Sequence, residues 1–136
     1  MKYPKLPSFR LDGKSALITG AGRGIGMGAS IALAESGANV TLVSRTEKEL
    51  KELTKHINAL GFKASYKTLD VNNEKEVEQL INDSNPFDIL INNAGTNKPA
   101  KLIDTNLKDF DHVMSLNVRS VMNLTKHVVR KMLKNE

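Results

Sequence analysis

The sequence predicts an α/β fold with a doubly wound parallel sheet. Three observations carry this reading. Short apolar runs of strand length recur at residues 15–18, 40–43 and 87–91. Between them lie segments with helical spacing of apolar residues, such as Leu50, Leu53, Ile57 and Leu60. The first apolar run passes straight into a glycine-rich turn, Thr19-Gly20-Ala21-Gly22-Arg23-Gly24-Ile25-Gly26, and the turn into a helical pattern. Strands alternating with helices give βαβ units and a parallel sheet.

Composition bounds the function classes. At 136 residues, 40% of them apolar, the chain is one domain at most and has enough apolar material for a core. Cysteine is absent, which excludes disulfide and thiolate sites and fits a reducing, cytoplasmic setting. Met1-Lys2-Tyr3-Pro4-Lys5 is followed by no apolar run, so no secretory leader is expected, and nothing approaches the length of a membrane span. The formal charge of +5 sits at the two ends: net +3 over residues 1–14, net +3 over residues 126–136, and net −1 between them. With only six aromatic residues and no basic stripe, a nucleic-acid partner is not expected.

Taken in order, residues 1–8, with Pro4 and Pro7, read as a lead-in, and residues 9–136 as the domain. Asp12-Gly13 turns the chain into the first strand, 15–18. The glycine-rich turn that follows suits a pyrophosphate. A helix N-terminus offers free N–H groups and partial positive charge, and side chains at Gly20, Gly24 or Gly26 would hold phosphates away or prevent the tight turn. The first helix carries Met27, Ala29 and Ile31 to Ala34, and Gly37 closes it. The second strand, 40–43, leads into Ser44-Arg45-Thr46.

Helix 47–60 is amphipathic through Leu50, Leu53, Ile57 and Leu60, with Thr46 and Glu49 as a capping box and His56 toward solvent. Residues 64–69 alternate, as expected of an edge strand, and end in Asp70-Val71. Asp70 or Asn72 has the chemistry to cap the next helix, 73–82, whose Val77, Leu80 and Ile81 point inward. Strand 87–91 ends in Asn92-Asn93-Ala94-Gly95. The expected strand order is 3-2-1-4, with a ligand at the carboxyl ends where the order reverses, between strands one and four. After a loop over 96–105, a helix is expected over 107–133 with Asn106 as N-cap. Its apolar residues spread over more than one face, and Asn117 interrupts the stripe of Phe110, Val113, Met114 and Val121 as a buried amide. One face of such a helix suits its own sheet and another a partner.

Thr-Gly-x-x-x-Gly-x-Gly from Thr19 to Gly26, then Asp70-Val71, Asn92-Asn93-Ala94-Gly95 and Asn117-Val118, stand in the order of the signatures of the short-chain dehydrogenase/reductase family, which the chain resembles from about Phe9 onward. In style it is similar to the 3-oxoacyl-carrier-protein reductases and the sugar or polyol dehydrogenases. The resemblance implies a Rossmann-like fold and an oxidoreductase that moves a hydride between a nicotinamide and a carbonyl or alcohol. It implies cofactor contacts from Gly20, Arg23, Gly24, Ile25, Gly26, Ser44, Arg45, Asp70, Val71, Asn93, Ala94 and Gly95. Asp70 would meet the adenine amino group and Val71 the ring.

At the ribose end, an NAD-preferring site places an acid after the second strand. Here stand Ser44 and Arg45, with Arg23 in the glycine loop, so NADP(H) is expected over NAD(H). For Asn117, two readings stay open: an amide bonded to backbone, or the family's catalytic asparagine, which holds a water linked to the active-site lysine.

The family's proton donor is a tyrosine with a lysine four residues on. Tyr3 is followed at that spacing by Pro7 and Tyr66 by Asp70, and no tyrosine follows Asn117. The expectation is therefore a cofactor-binding portion truncated before the catalytic Ser and Tyr-x-x-x-Lys segment, inactive alone. The strand carrying Ile89, Leu90 and Ile91 would have an open apolar edge and the 136-residue chain weak stability. Association follows as an expectation, as a homo-oligomer through the 107–133 helix or with a chain supplying the missing half. The alternative is a non-catalytic nucleotide-binding or interaction module that assembles with another chain. The sequence names no particular carbonyl or alcohol substrate.

Overall fold

A computed structural model describes residues 7–134, so most of the expected lead-in lies outside the described residues. Four parallel strands form one sheet: β1 (Ser15–Thr19), β2 (Asn39–Ser44), β3 (Ala64–Thr68) and β4 (Ile89–Ile91), in the order β3-β2-β1-β4. This is the expected order, with β3 at one edge. Residues of β1 alternate between two cores because successive side chains in a strand point to opposite faces. Ala16 and Ile18 join one core with Val40, Leu42, Leu50, Leu53 and Ile57. Leu17 joins the other with Val43, Val77, Ile81, Leu124 and Val128. Helices α1 (Gly24–Glu35) and α2 (Glu47–Ala59) thus cover one face, and α3 (Glu74–Asp83) and α5 (Ser120–Leu133) the other.

Several local expectations are corrected. Residues 107–133 are not one regular helix. Helix α4 (Leu107–Met114), capped by Asn106 through bonds from the N–H of Lys108 (2.7 Å) and Asp109 (3.4 Å), runs into a π-helical turn, Ser115–Arg119, and then α5. The cap of α3 is Asn73, which accepts from Glu76 N at 3.3 Å. Asp70 instead closes a turn on Asn72 N at 2.9 Å, and Asn72 accepts from Ser115 Oγ at 3.0 Å, so neither is the cap.

Thr46 stands at the N-cap of α2, yet its side chain caps nothing; its own N–H donates to Ser44 Oγ at 3.3 Å. The capping box fails because Glu49 turns its carboxylate over the glycine loop rather than back along the helix. Leu60 falls beyond the end of α2 and is exposed, which leaves Leu50, Leu53 and Ile57 as the buried stripe.

Strand β4 is shorter than the run 87–91 because its start is held differently. The Asp88 carboxylate accepts from Ser15 N (2.8 Å), Ser15 Oγ (3.1 Å) and Lys14 Nζ (3.1 Å), tying the first residue of β1 to the approach of β4. The Ser15 N–H bond, helped by Lys14, holds the Asp88 carboxyl below its usual pKa. A carboxyl with a depressed folded-state pKa contributes stability above its unfolded pKa, and that contribution is lost as pH falls through the folded value. Asp88→Asn is expected to lower Tm at pH 7, with the gap to the parent closing as pH falls below the ordinary carboxylate range. Thermal melts across pH check this; a gap independent of pH contradicts it.

Candidate functional site

The loops at the carboxyl ends of all four strands converge on one cleft of about 400 Å³. The first structural requirement is to hold the loop after β4 against the loop after β1. Thr19, 2% exposed, does this with its hydroxyl, which accepts from Asn93 N (3.1 Å) and Ala94 N (3.0 Å). The Asn93 carboxamide returns the tie, donating to Thr19 O (3.0 Å) and Gly20 O (3.1 Å).

The contact is close enough to exclude side chains. A Cβ on Gly20, which has φ of +61°, would stand 2.9 Å from Ala94 Cα and 2.9 Å from Asn93 Nδ2. A Cβ on Gly26 would collide with the carbonyl of Gly20 and lie 2.5 Å from Asn93 Nδ2. These glycines are the packing surface between two crossing backbones.

Helix α1 opens into this cleft. Its N-cap, Arg23, is extended, makes no side-chain cap, and no acid stands in the first turn. The first N–H groups of a helix lack intrahelical partners, so this end presents donors and partial positive charge to whatever fills the cleft.

All the residues expected at a cofactor line the cleft except Gly26: Gly20, Arg23, Gly24, Ile25, Ser44, Arg45, Asp70, Val71, Asn93, Ala94 and Gly95. Gly26 is buried beneath it. Gly22, Thr46, Glu49, Leu69 and Leu116 line it as well. Glu49 escapes a reading of the sequence because its spacing from Thr46 assigns it to a cap. Leu116 is brought in by the helix after β4, a long-range placement with no local signal. No acid stands directly after β2, as expected, but Glu49 of α2 also lines this end of the cleft. Arg23, Arg45 and Glu49 take part in none of the ion pairs among the described residues. Among the described residues no group of three His, Asp or Glu side chains is placed to hold a metal.

Asn117 does not line this cleft; it stands beside its Gly95 end. Its Oδ1 is 3.3 Å from where a Gly95 Cβ would be. Its carboxamide pairs twice with the Thr96 backbone, donating from Nδ2 to O (2.9 Å) and accepting from N at Oδ1 (2.9 Å). The expectation of a buried amide is corrected, because Asn117 is exposed. Its apolar neighbours Phe110, Met114 and Val118 lie on the same uncovered face, so the stripe it interrupts is not a core stripe.

The family model described as short chain dehydrogenase matches residues 14–136. The chain is 39% identical over 137 aligned residues to a gluconate 5-dehydrogenase of Gluconobacter oxydans, an alignment covering 98% of this chain and 53% of that protein. A gluconate 5-dehydrogenase of Burkholderia cenocepacia, solved in complex with NADP and tartrate, superposes with a TM-score of 0.88 at 36% identity over 94% of this chain and 52% of that one. A 7α-hydroxysteroid dehydrogenase complexed with NADH and 7-oxo glycochenodeoxycholic acid gives a TM-score of 0.89 at 36% identity, covering 94% and 51%. With its family signatures gathered on one Rossmann-like sheet, the chain belongs to the short-chain dehydrogenase family of oxidoreductases. It spans about half the length of the curated relatives it matches.

Thr19→Val keeps the shape of the clasp and removes its acceptor, leaving two backbone N–H groups without a partner. The expected cost is about 1–3 kcal/mol, read as a lower urea midpoint. An unchanged midpoint would mean that the clasp does not hold the two loops together.

Proposed function

We propose that this chain is the cofactor-binding portion of an NADP(H)-dependent short-chain oxidoreductase that interconverts a carbonyl and an alcohol. The observation that carries the reading is the uncapped N-terminus of α1, opening with Arg23 and Arg45 into a single cleft at the reversal of strand order. The residues fit the group. Gly20 and Gly26 have no space for side chains, so the backbone itself forms the floor on which a pyrophosphate would rest. Gly24 and Ile25 would offer N–H donors to it. Asp70 would accept from the adenine amino group, with Val71 against the ring. Asn93, Ala94 and Gly95 would border the nicotinamide side. Ser44, Arg45 and Arg23 would receive a 2′-phosphate. When bound, the nicotinamide supplies or accepts the hydride.

Asn117 belongs to this reading as the residue nearest the catalytic side. Its exposed carboxamide, held by Thr96, would orient a water at the mouth of the cleft. Turnover would then require a segment bearing Tyr-x-x-x-Lys, which these 136 residues do not contain. An assembling, non-catalytic module is the second reading. It is favoured by the exposed apolar face of α4 and α5, with Val118 52% and Met122 69% exposed, and by β4, whose one strand partner among the described residues is β1. Either reading leaves this face to a second copy or to a chain supplying further strands. No helix of the described residues is long and apolar enough to cross a membrane. A cytoplasmic setting, with no membrane or nucleic-acid partner, completes the proposal.

Titration of NADPH and NADH, followed by their own fluorescence in a chain that has no tryptophan, tests the proposal. Saturable binding with NADPH the tighter supports it, and no binding of either contradicts it. In Arg45→Asp the preference is expected to move toward NADH by about tenfold or more, the scale of one charge-assisted hydrogen bond. An unchanged preference would remove Arg45 from the phosphate site.

A further inference from the structure

The β2 end of the cleft is lined by two arginines and an acid. Glu49 projects from the first turn of α2, and its side chain lies over the glycine loop. The point where a Gly22 Cβ would stand is 2.6 Å from Glu49 Oε2, 3.0 Å from Glu49 Cβ and 3.4 Å from Ser44 Oγ. Glu49 is half-buried and its neighbour Leu50 is fully buried, so the helix start is fixed against the core. The absence of a side chain at Gly22 is what gives the carboxylate its place. Among the described residues no side-chain or backbone partner holds that carboxylate. The carboxylate caps no backbone group of α2 and makes no ion pair among the described residues, although Arg23 and Arg45 line the same cleft.

We propose that Glu49 is a specificity-determining residue of the ribose end, opposing Arg45. Its carboxylate accepts from the unphosphorylated ribose hydroxyl of NAD(H) and repels the 2′-phosphate of NADP(H). The proposal rests on the dinucleotide reading above. The chemistry is that of opposite signs lining one cleft. Arg45 and Arg23 favour a phosphate dianion, while Glu49 favours a hydroxyl donor and penalises the same dianion through like-charge repulsion across a partly desolvated cleft. The pocket is thereby balanced, and the chain takes both dinucleotides with a preference smaller than its two arginines alone would give. The competing account of Glu49 is structural: an acid in the first turn favours the helix dipole of α2. That role is indifferent to the ribose substituent.

The experiment measures Kd for NADPH and NADH, and for the fragments 2′,5′-ADP and 5′-AMP, by titration of the 136-residue chain and of Glu49→Gln. The fragments confine the comparison to the adenosine end. The substitution keeps size and hydrogen bonding and removes the charge. The expected result is a rise of about fivefold or more in the preference for NADPH over NADH, and for 2′,5′-ADP over 5′-AMP, mostly through tighter binding of the phosphorylated member. Glu49→Ser, which suits a helix first turn, is expected to move both ratios the same way. Ratios unchanged in both variants, with both dinucleotides bound, overturn this inference and leave the dinucleotide reading standing. If the parent chain binds none of the four ligands, both fall together.

Discussion

The site depends on the clasp between the ends of β1 and β4. One buried hydroxyl, Thr19 Oγ1, satisfies two consecutive backbone N–H groups, and one carboxamide, Asn93, satisfies two consecutive carbonyls. Buried backbone groups left without partners are costly, so this exchange fixes the distance between the glycine loop and the Asn93-Ala94-Gly95 loop. Parallel strands whose connections leave in opposite directions open a crevice at this place, and the clasp forms its floor. The small residues follow from that closeness. Gly20 and Gly26 meet Asn93 and Ala94 at distances that admit no Cβ.

On that floor the electrostatics divide by region. The N-terminus of α1 has neither a side-chain cap nor an acid, which leaves its donors to a ligand. The β2 end is mixed, with Arg23 and Arg45 against Glu49. Asp70 accepts from Asn72 N through Oδ1 and also lines the cleft, so a local turn does not remove the residue from the site.

Much of this is legible in the sequence, for physical reasons that differ from residue to residue. The strands and their order follow from apolar runs of strand length around an unmistakable turn, and β3 announces itself as an edge by alternating. The glycines are legible because only a glycine tolerates what Gly20 must do. Glu49 is misread because a Thr-x-x-Glu pattern is also how a capping box is written, and only the fold places the glycine loop close enough to draw the side chain away. The asparagine caps are partly misplaced because Asp70, Asn72 and Asn73 are chemically interchangeable as caps over four residues; geometry alone selects Asn73. The burial of Asn117 is misjudged because helical periodicity finds an apolar face without saying what covers it, and here Phe110, Met114 and Val118 stand exposed around the amide. The π-helical turn that carries Asn117 has no period of its own in so short a run.

The central claim is that the end of α1 and the loop after β4 form one binding surface for a dinucleotide. Backbone amide chemical shifts in an NADPH titration test it most directly. The account predicts perturbations concentrated at Gly24, Ile25, Arg45 and Val71 and across Asn93 to Gly95, with the far ends of the strands, around Ser15 and Ala64, unchanged. Perturbations absent from the glycine loop, or centred instead on the exposed face of α5 around Val118 and Met122, would contradict it.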